Sequence, residues 1–300
     1  MKFRRAARLA AGLGGLAILA GCVAAERRAA DGAPPTPPPT PDTSAAPRPA
    51  ESALTFSGVF EQGGWMRGRV PRGTGAVLLG RHRIEPEADG QFFAGFDRDA
   101  PLRLAIGVDG EDDALRREVV LQRREWRIEH VNAAIRPPGS SETFLARRRP
   151  ELERIAAARA RRTGAQGWRQ VFAWPAEGRI SGLFGAQRIY RGEPGSYHTG
   201  LDIATPRGTP FTAPADGVVV LAAREDFTLE GKLLLIDHGQ GLGSAFLHAD
   251  SLAVSEGQTV RQGQVLGTVG ASGRASGPHL HWGLTWNGER LDPLLFVPPR

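Results

Sequence analysis

Between residues 54 and 127, short apolar runs recur at regular intervals, at 77–79, 91–96, 102–106 and 118–121. Each is too short for a helix and is rich in Val, Leu, Ile and Phe, which suit a pleated, half-buried surface. Turn formers separate them: Gly63-Gly64, Pro71-Arg72-Gly73, Asp89-Gly90 and Asp109-Gly110. This alternation predicts a small β domain of sandwich type over residues 53–127. The pattern then changes. Pro150 suits the first turn of a helix, and Leu152, Ile155, Ala156 and Arg159 follow at helical spacing, with Gly164 to end it. The expectation is a basic connector over residues 128–177 whose helix has a solvated face. From residue 178 the β pattern returns with apolar runs at 216–221, 232–237, 244–248 and 265–269, and Gly239-Gln240-Gly241 joins the middle pair as a hairpin. The fold class is therefore mainly all-β, with a second β domain over residues 178–300.

The first fifty residues follow other rules. A short basic stretch with Lys2, Arg4, Arg5 and Arg8 precedes an apolar run over residues 9–20. That is the layout of a secretory signal, too short to span a membrane. Leu19-Ala20-Gly21 then leads to Cys22, the only cysteine in the chain, so no internal disulfide can form. These residues resemble the lipobox of bacterial lipoproteins. The resemblance implies a signal peptide over residues 1–21, cleavage before Cys22, and membrane attachment through lipid on that cysteine. Residues 22–52 include Pro34-Pro35-Thr36-Pro37-Pro38-Pro39-Thr40-Pro41, which favours extended polyproline II and reads as a semi-rigid tether. The net charge of +6 is carried almost wholly by arginine. It gathers in the connector, at Arg147-Arg148-Arg149 and from Arg159 to Arg162. The C-terminal domain is close to balanced, so nucleic-acid binding is not expected.

The chemistry concentrates in that last domain. In His279-Leu280-His281-Trp282, strand alternation puts both histidines on one face and Leu280 and Trp282 in a core. Upstream, His198 and Asp202 stand four apart, and Gly200 with the neighbouring prolines argues for extended chain over helix. Two imidazoles and one carboxylate, with a fourth position left to water, make an open zinc site. The expected ligands are His198, Asp202 and His281. His279 should stand beside the metal, and His248 at the end of its strand is placed to cross the same cleft. Such groups can take the proton of a zinc-activated water and stabilise an oxyanion, as amide hydrolysis requires. His238, at a hairpin turn, reads as structural; His82 and His130 read as surface residues without a partner.

At these residues the domain resembles the lysostaphin/LytM-type zinc endopeptidases of the bacterial cell wall. The likeness rests on His198-x-x-x-Asp202, on His279-x-His281, on the hairpin and histidine between Asp237 and His248, and on the glycine framework. That framework includes Gly182-Leu183-Phe184-Gly185, Gly208-Thr209-Pro210 and Ala213-Pro214-Ala215-Asp216-Gly217. One departure is Phe246-Leu247-His248-Ala249, where the family usually has Tyr-x-His-Leu; a phenol is lost and the histidine is kept. The resemblance implies a hybrid β-sandwich, one Zn2+ per chain held by His198, Asp202 and His281, and catalytic assistance from His248 and His279. It implies peptidoglycan as substrate, with the D-alanyl–meso-diaminopimelate cross-link favoured. It also implies an envelope location facing the periplasm and a divisome or amidase partner. The alternative is a non-catalytic activator of cell-wall amidases, as in relatives that have lost zinc ligands. A biotinyl or lipoyl carrier shares the sandwich, but the matching turn, Gly270-Ala271-Ser272-Gly273, has no lysine.

Overall fold

The structure is a computed structural model that describes residues 54–110, 117–135, 139 and 141–300. The signal segment, Cys22 and the proline-rich tether lie outside the described residues. Among the described residues no helix is long and apolar enough to cross a membrane.

Seven strands open the described chain: β1 (Thr55–Val59), β2 (Trp65–Arg69), β3 (Val77–Leu79), β4 (His82–Ile84), β5 (Gln91–Gly95), β6 (Arg103–Val108) and β7 (Arg117–Val120). They form two antiparallel sheets, ordered β1-β2-β5 and β4-β3-β6-β7. The apolar runs read from sequence lie in β3, β5, β6 and β7. The four turn signals hold Gly63, Gly73, Gly90 and Gly110 at positive φ, where glycine alone is unstrained.

β8 (Ile128–Val131) and α1 (Glu142–Ala160) follow. The helix begins eight residues before Pro150, not at it. Ser141 caps its N-terminus, its Oγ accepting from the Phe144 N–H at 3.2 Å. Pro150 is carried inside the helix, where it gives up one backbone donor. Most of the helix is solvated, as expected, Leu152 and Arg159 included, and a narrow face is docked. Ile155 and Ala158 pack on Val220, Leu221, Ala223, Phe227, Leu233, Leu235 and Ala245.

The C-terminal part comprises β9 (Arg179–Gly182), β10 (Gln187–Tyr190), β11 (Glu193–Pro194), β12 (Leu201–Ala204), β13 (Pro210–Thr212), β14 (Gly217–Phe227), β15 (Gly231–Gly239), β16 (Leu242–Leu252), β17 (Thr259–Val260), β18 (Val265–Val269), β19 (Leu280–Trp286) and β20 (Glu289–Leu291). The main sheet runs β17-β14-β15-β16-β19-β12-β9, with β18 joining β13 and β16, and β20 joining β19. In β19, Leu280, Trp282, Leu284 and Trp286 are fully buried, as strand alternation requires. A separate three-stranded sheet, β11-β10-β8, attaches the connector to this domain, because β8 pairs in parallel with β10.

The two β regions share one core. Phe296 lies with its ring centroid 5.5 Å from that of Trp65, 6.2 Å from Phe93 and 5.4 Å from Phe172. The Trp65 indole N–H donates to the Leu295 carbonyl at 2.8 Å. A Cβ on Gly95 would meet Leu291 at 2.7 Å, so a glycine there lets β5 close on β20. His82 belongs to this junction and is not a partnerless surface residue. Its Nε2 is 2.9 Å from Glu289 Oε1, and its ring lies 4.7 Å from that of Trp286. Sequence spacing alone gives no sign of a partner two hundred residues away.

Candidate metal centre

β12 and β19 are antiparallel neighbours, and their register sets Asp202 directly opposite His281. The two side chains therefore rise from the same sheet face. His281 Nδ1 lies 2.9 Å from Asp202 Oδ1. His198 comes from the loop before β12 and brings its Nε2 to 3.0 Å from the same oxygen and 3.1 Å from His281 Nδ1. Ligand atoms from all three lie within 4.8 Å of one another.

Two glycines allow the approach. A Cβ at Gly182 would sit 2.3 Å from Asp202 Oδ2, and one at Gly200 would sit 2.7 Å from His281 Nε2. The tautomer of His198 is fixed from behind, because its Nδ1–H donates to the Leu183 carbonyl at 3.0 Å. In the neutral ring that leaves the Nε2 lone pair facing the cluster, the usual outer support of a metal-binding histidine; without a metal, a protonated Nε2 can instead donate to Asp202.

The donor set fits zinc. It offers one carboxylate oxygen and two imidazole nitrogens, as in open catalytic zinc sites. Tetrahedral zinc with bonds of about 2.0–2.1 Å spaces its ligands about 3.3 Å apart, close to the separations found here. The electrostatics agree. Burial alone would raise the Asp202 pKa, but hydrogen bonds from His198 and His281 and their charges hold it well below the usual carboxylate range. Burial lowers His281, opposed in part by its bond to Asp202. Burial also works against the His198 cation, yet the bond and charge of Asp202, with the Leu183 carbonyl, turn the net shift upward.

His248 and His279 stand beside the cluster. Their ring centroids are 4.9 Å apart, and His248 is 6.3 Å from His281. His279 bridges to Gly270 just before β19. Its Nδ1–H donates to the Gly277 carbonyl at 2.8 Å, and its Nε2 comes within 3.7 Å of Asp202 Oδ1. His248 does not end its strand; β16 continues to Leu252. Leu247 pairs with His281, so strict alternation would turn His248 to the opposite face. Instead His248 takes φ 65°, and the pairing of β16 with β18 shifts register next to it. Irregularities of this kind re-aim side chains at active sites. The His248 Nδ1–H donates to the Ser272 carbonyl at 2.8 Å. Burial, with the neighbouring His279 and His281 adding to it, pushes its pKa down to about 4, so it is neutral at physiological pH with Nε2 free to accept. His238 is elsewhere, fully buried and bonded to the Asp216 carbonyl at 2.7 Å and Ser244 Oγ at 2.8 Å.

A cleft of about 980 Å³ opens from the cluster, lined by His198, Asp202, Tyr190, Tyr197, Arg127, Glu129, Arg188 and Arg274 among others. Glu129 belongs to the connector and reaches the cleft through the β8–β10 pairing, with the Arg127 carbonyl just ahead of β8 accepting the Gln187 N–H at 3.0 Å, and Glu129 is bonded to Arg188 at 2.8 Å. Periodicity in the sequence carried no signal for this wall.

Residues 196–293 match the model of peptidase family M23. The chain is 34% identical over 170 residues to the cell division protein DipM of Caulobacter vibrioides, covering 54% of this chain and 25% of that one. It is 39% identical over 102 residues to the DD-carboxypeptidase/endopeptidase Mpg of Neisseria meningitidis, covering 34% and 23%. The chain thus spans about a quarter of the length of these curated relatives. A crystal structure from Pseudomonas aeruginosa, assigned to peptidase family M23, matches with a TM-score of 0.60 at 28% identity over 79% of this chain and 94% of that one. That share is larger than the C-terminal domain alone. Residues 196–293 therefore form a region that matches peptidase family M23, and its His/Asp/His cluster is a metalloendopeptidase-type site.

Proposed function

We propose that this protein is a zinc metalloendopeptidase that hydrolyses peptide cross-links of peptidoglycan. One Zn2+ would be held by His198, Asp202 and His281, with His248 and His279 as the proton-handling groups. The observation that carries this reading is the pairing of a three-donor cluster with two histidines whose Nδ1–H groups are tied to backbone carbonyls. The name of the Neisseria relative, a carboxypeptidase/endopeptidase, points to the same chemistry.

Bound at the cluster, zinc would polarise the scissile carbonyl and lower the pKa of the attacking water toward about 7. The chain does the rest. The Leu183 carbonyl orients His198 through its Nδ1–H. Nε2 of His248 or His279 accepts the proton released on attack, donates to the tetrahedral oxyanion or holds it while protonated, and returns it to the departing amine; the other imidazole can steady the oxyanion only in its Nε2-protonated form. The cleft, walled by Tyr190, Arg127, Arg188 and Arg274, receives the peptide and its carboxylates. The D-alanyl–meso-diaminopimelate bond is the favoured target, on the ground of envelope type. The lipobox at Cys22 supports a lipid anchor facing the periplasm, and the division protein among the relatives supports a divisome or amidase partner. We take the functional units as residues 53–127, 128–177 and 178–300. A non-catalytic amidase activator would not require the complete set of five polar groups.

The test is digestion of purified peptidoglycan by the full chain, with and without a chelator, read by mass spectrometry. Chelator-sensitive conversion of cross-linked dimers to monomers is expected, and the masses name the bond. Intact cross-links with zinc-loaded protein would overturn the reading.

A further inference from the structure

We infer that the connector helix α1 is a positioning element for the site: Arg148 and Glu151 clamp the β14–β15 turn, and that turn holds His248 and the loop bearing Arg274 in place. The inference rests on the reaction proposed above and adds to it a role for residues outside the M23 match.

The clamp is made of short, largely buried contacts. Arg148 Nη1 and Nη2 reach the two oxygens of Glu230, each at 2.6 Å, and Nη1 also donates to Glu151 at 2.9 Å. Such a two-pronged guanidinium–carboxylate pair fixes orientation as well as distance. Glu151 Oε1 in turn accepts from the Thr228 backbone N–H at 2.8 Å and from its hydroxyl at 2.7 Å. The side chains of Arg148, Glu151 and Glu230 are between 11% and 16% exposed, so water competes little for these bonds. Two residues of one helix thus grip both ends of the three-residue turn 228–230.

The other side of that turn faces the active site. The Glu230 carbonyl accepts the His248 backbone N–H at 2.9 Å, and the Leu229 carbonyl accepts that of Arg274 at 3.0 Å. Gly231 packs so closely on Ser272 that a Cβ there would lie 2.2 Å from its Oγ. The Lys232 N–H donates to Ser272 Oγ at 2.9 Å, and the Ser272 carbonyl is the acceptor that orients the His248 ring. His248 sits at φ 65°, a conformation that a residue with a side chain adopts only when its surroundings impose it. Here those surroundings are the turn and the loop, and α1 is what holds the turn.

The experiment uses the full, zinc-loaded chain and three variants: Arg148→Met, Arg148→Lys and Thr228→Val. Zinc content, melting temperature, kcat and KM on cross-linked muropeptides, and the Nδ1–H resonance of His248 in 15N-labelled protein are measured together. Arg148→Met is expected to keep its zinc and its KM within about threefold and to lose about 10–100-fold in kcat, since a displacement near 1 Å costs about that much. Its His248 Nδ1–H resonance should shift or broaden. Arg148→Lys should recover part of both effects, and Thr228→Val should show the same shift if Arg148→Met proves too unstable to study. An unchanged resonance and kcat in a folded Arg148→Met would overturn the inference, as would a loss of activity that only tracks lost zinc or the unfolded fraction. If the unmodified protein cleaves nothing, the proposed function fails, and the resonance alone still decides the clamp.

Discussion

His198 and His248 are each pinned by a backbone carbonyl, Leu183 and Ser272, and such acceptors leave no mark in a sequence. The candidate ligands themselves were legible. His198, Asp202 and His281 are residue types with few other uses at that spacing; the β12–β19 register sets Asp202 opposite His281, and the loop before β12 brings in His198. His248 was legible as a residue but not in its placement, because a left-handed φ breaks the two-residue period on which strand reading depends. The residue scale supports a separation of roles. His279→Ala should retain zinc while hydrolysis falls by about two to four orders of magnitude, the usual scale for acid–base groups. Metal analysis and initial rates on the same sample check this; loss of the zinc itself would make His279 a ligand.

Among the elements, β15 and β16 carry a buried polar chain that explains the structural histidine. The Trp282 N–H donates to Ser244 Oγ at 3.2 Å, Ser244 bonds to His238 Nε2, and the His238 Nδ1–H donates to the Asp216 carbonyl. Every member is satisfied only while His238 is neutral, and burial pushes its pKa down to about 4. The unfolded chain titrates near 6.5. Above that value neither state binds the proton and the contribution is flat. As pH falls from about 6.5 to about 4 the unfolded state takes up a proton that the folded state refuses, so stability declines, by on the order of 3 kcal/mol. Urea unfolding at a series of pH values should show that decline in the parent and a flatter profile in His238→Asn; matching slopes would contradict the account. The same scale shows where element reading failed. Pro150 suggested a start for α1, but Ser141 supplied a better cap upstream, and docking on β14 and β15 compensates for the donor that Pro150 lacks.

At the scale of the molecule, the sequence suggested two β regions separated by a connector, and the packing joins them. Phe296 near the C-terminal end closes on Trp65 and Phe93 from the N-terminal sheet. Apolar patterning marks such residues as buried without saying against what, so the shared core could not be read in advance. Its consequence is measurable. Phe296→Ala should destabilise the protein by about 3–5 kcal/mol, the usual range for a buried phenylalanine, and should do so in a single transition reported alike by N-terminal and C-terminal tryptophans. Two separate transitions, with only one moved, would mean that the regions fold independently.

The central proposal is that His198, Asp202 and His281 form a zinc site in the region that matches peptidase family M23. The most direct measurement is diffraction at the zinc absorption edge from crystals of the purified protein. A single anomalous peak is predicted among His198 Nε2, Asp202 Oδ1 and His281 Nδ1. Zinc bound elsewhere, or none at this cluster after incubation with the metal, would contradict the account.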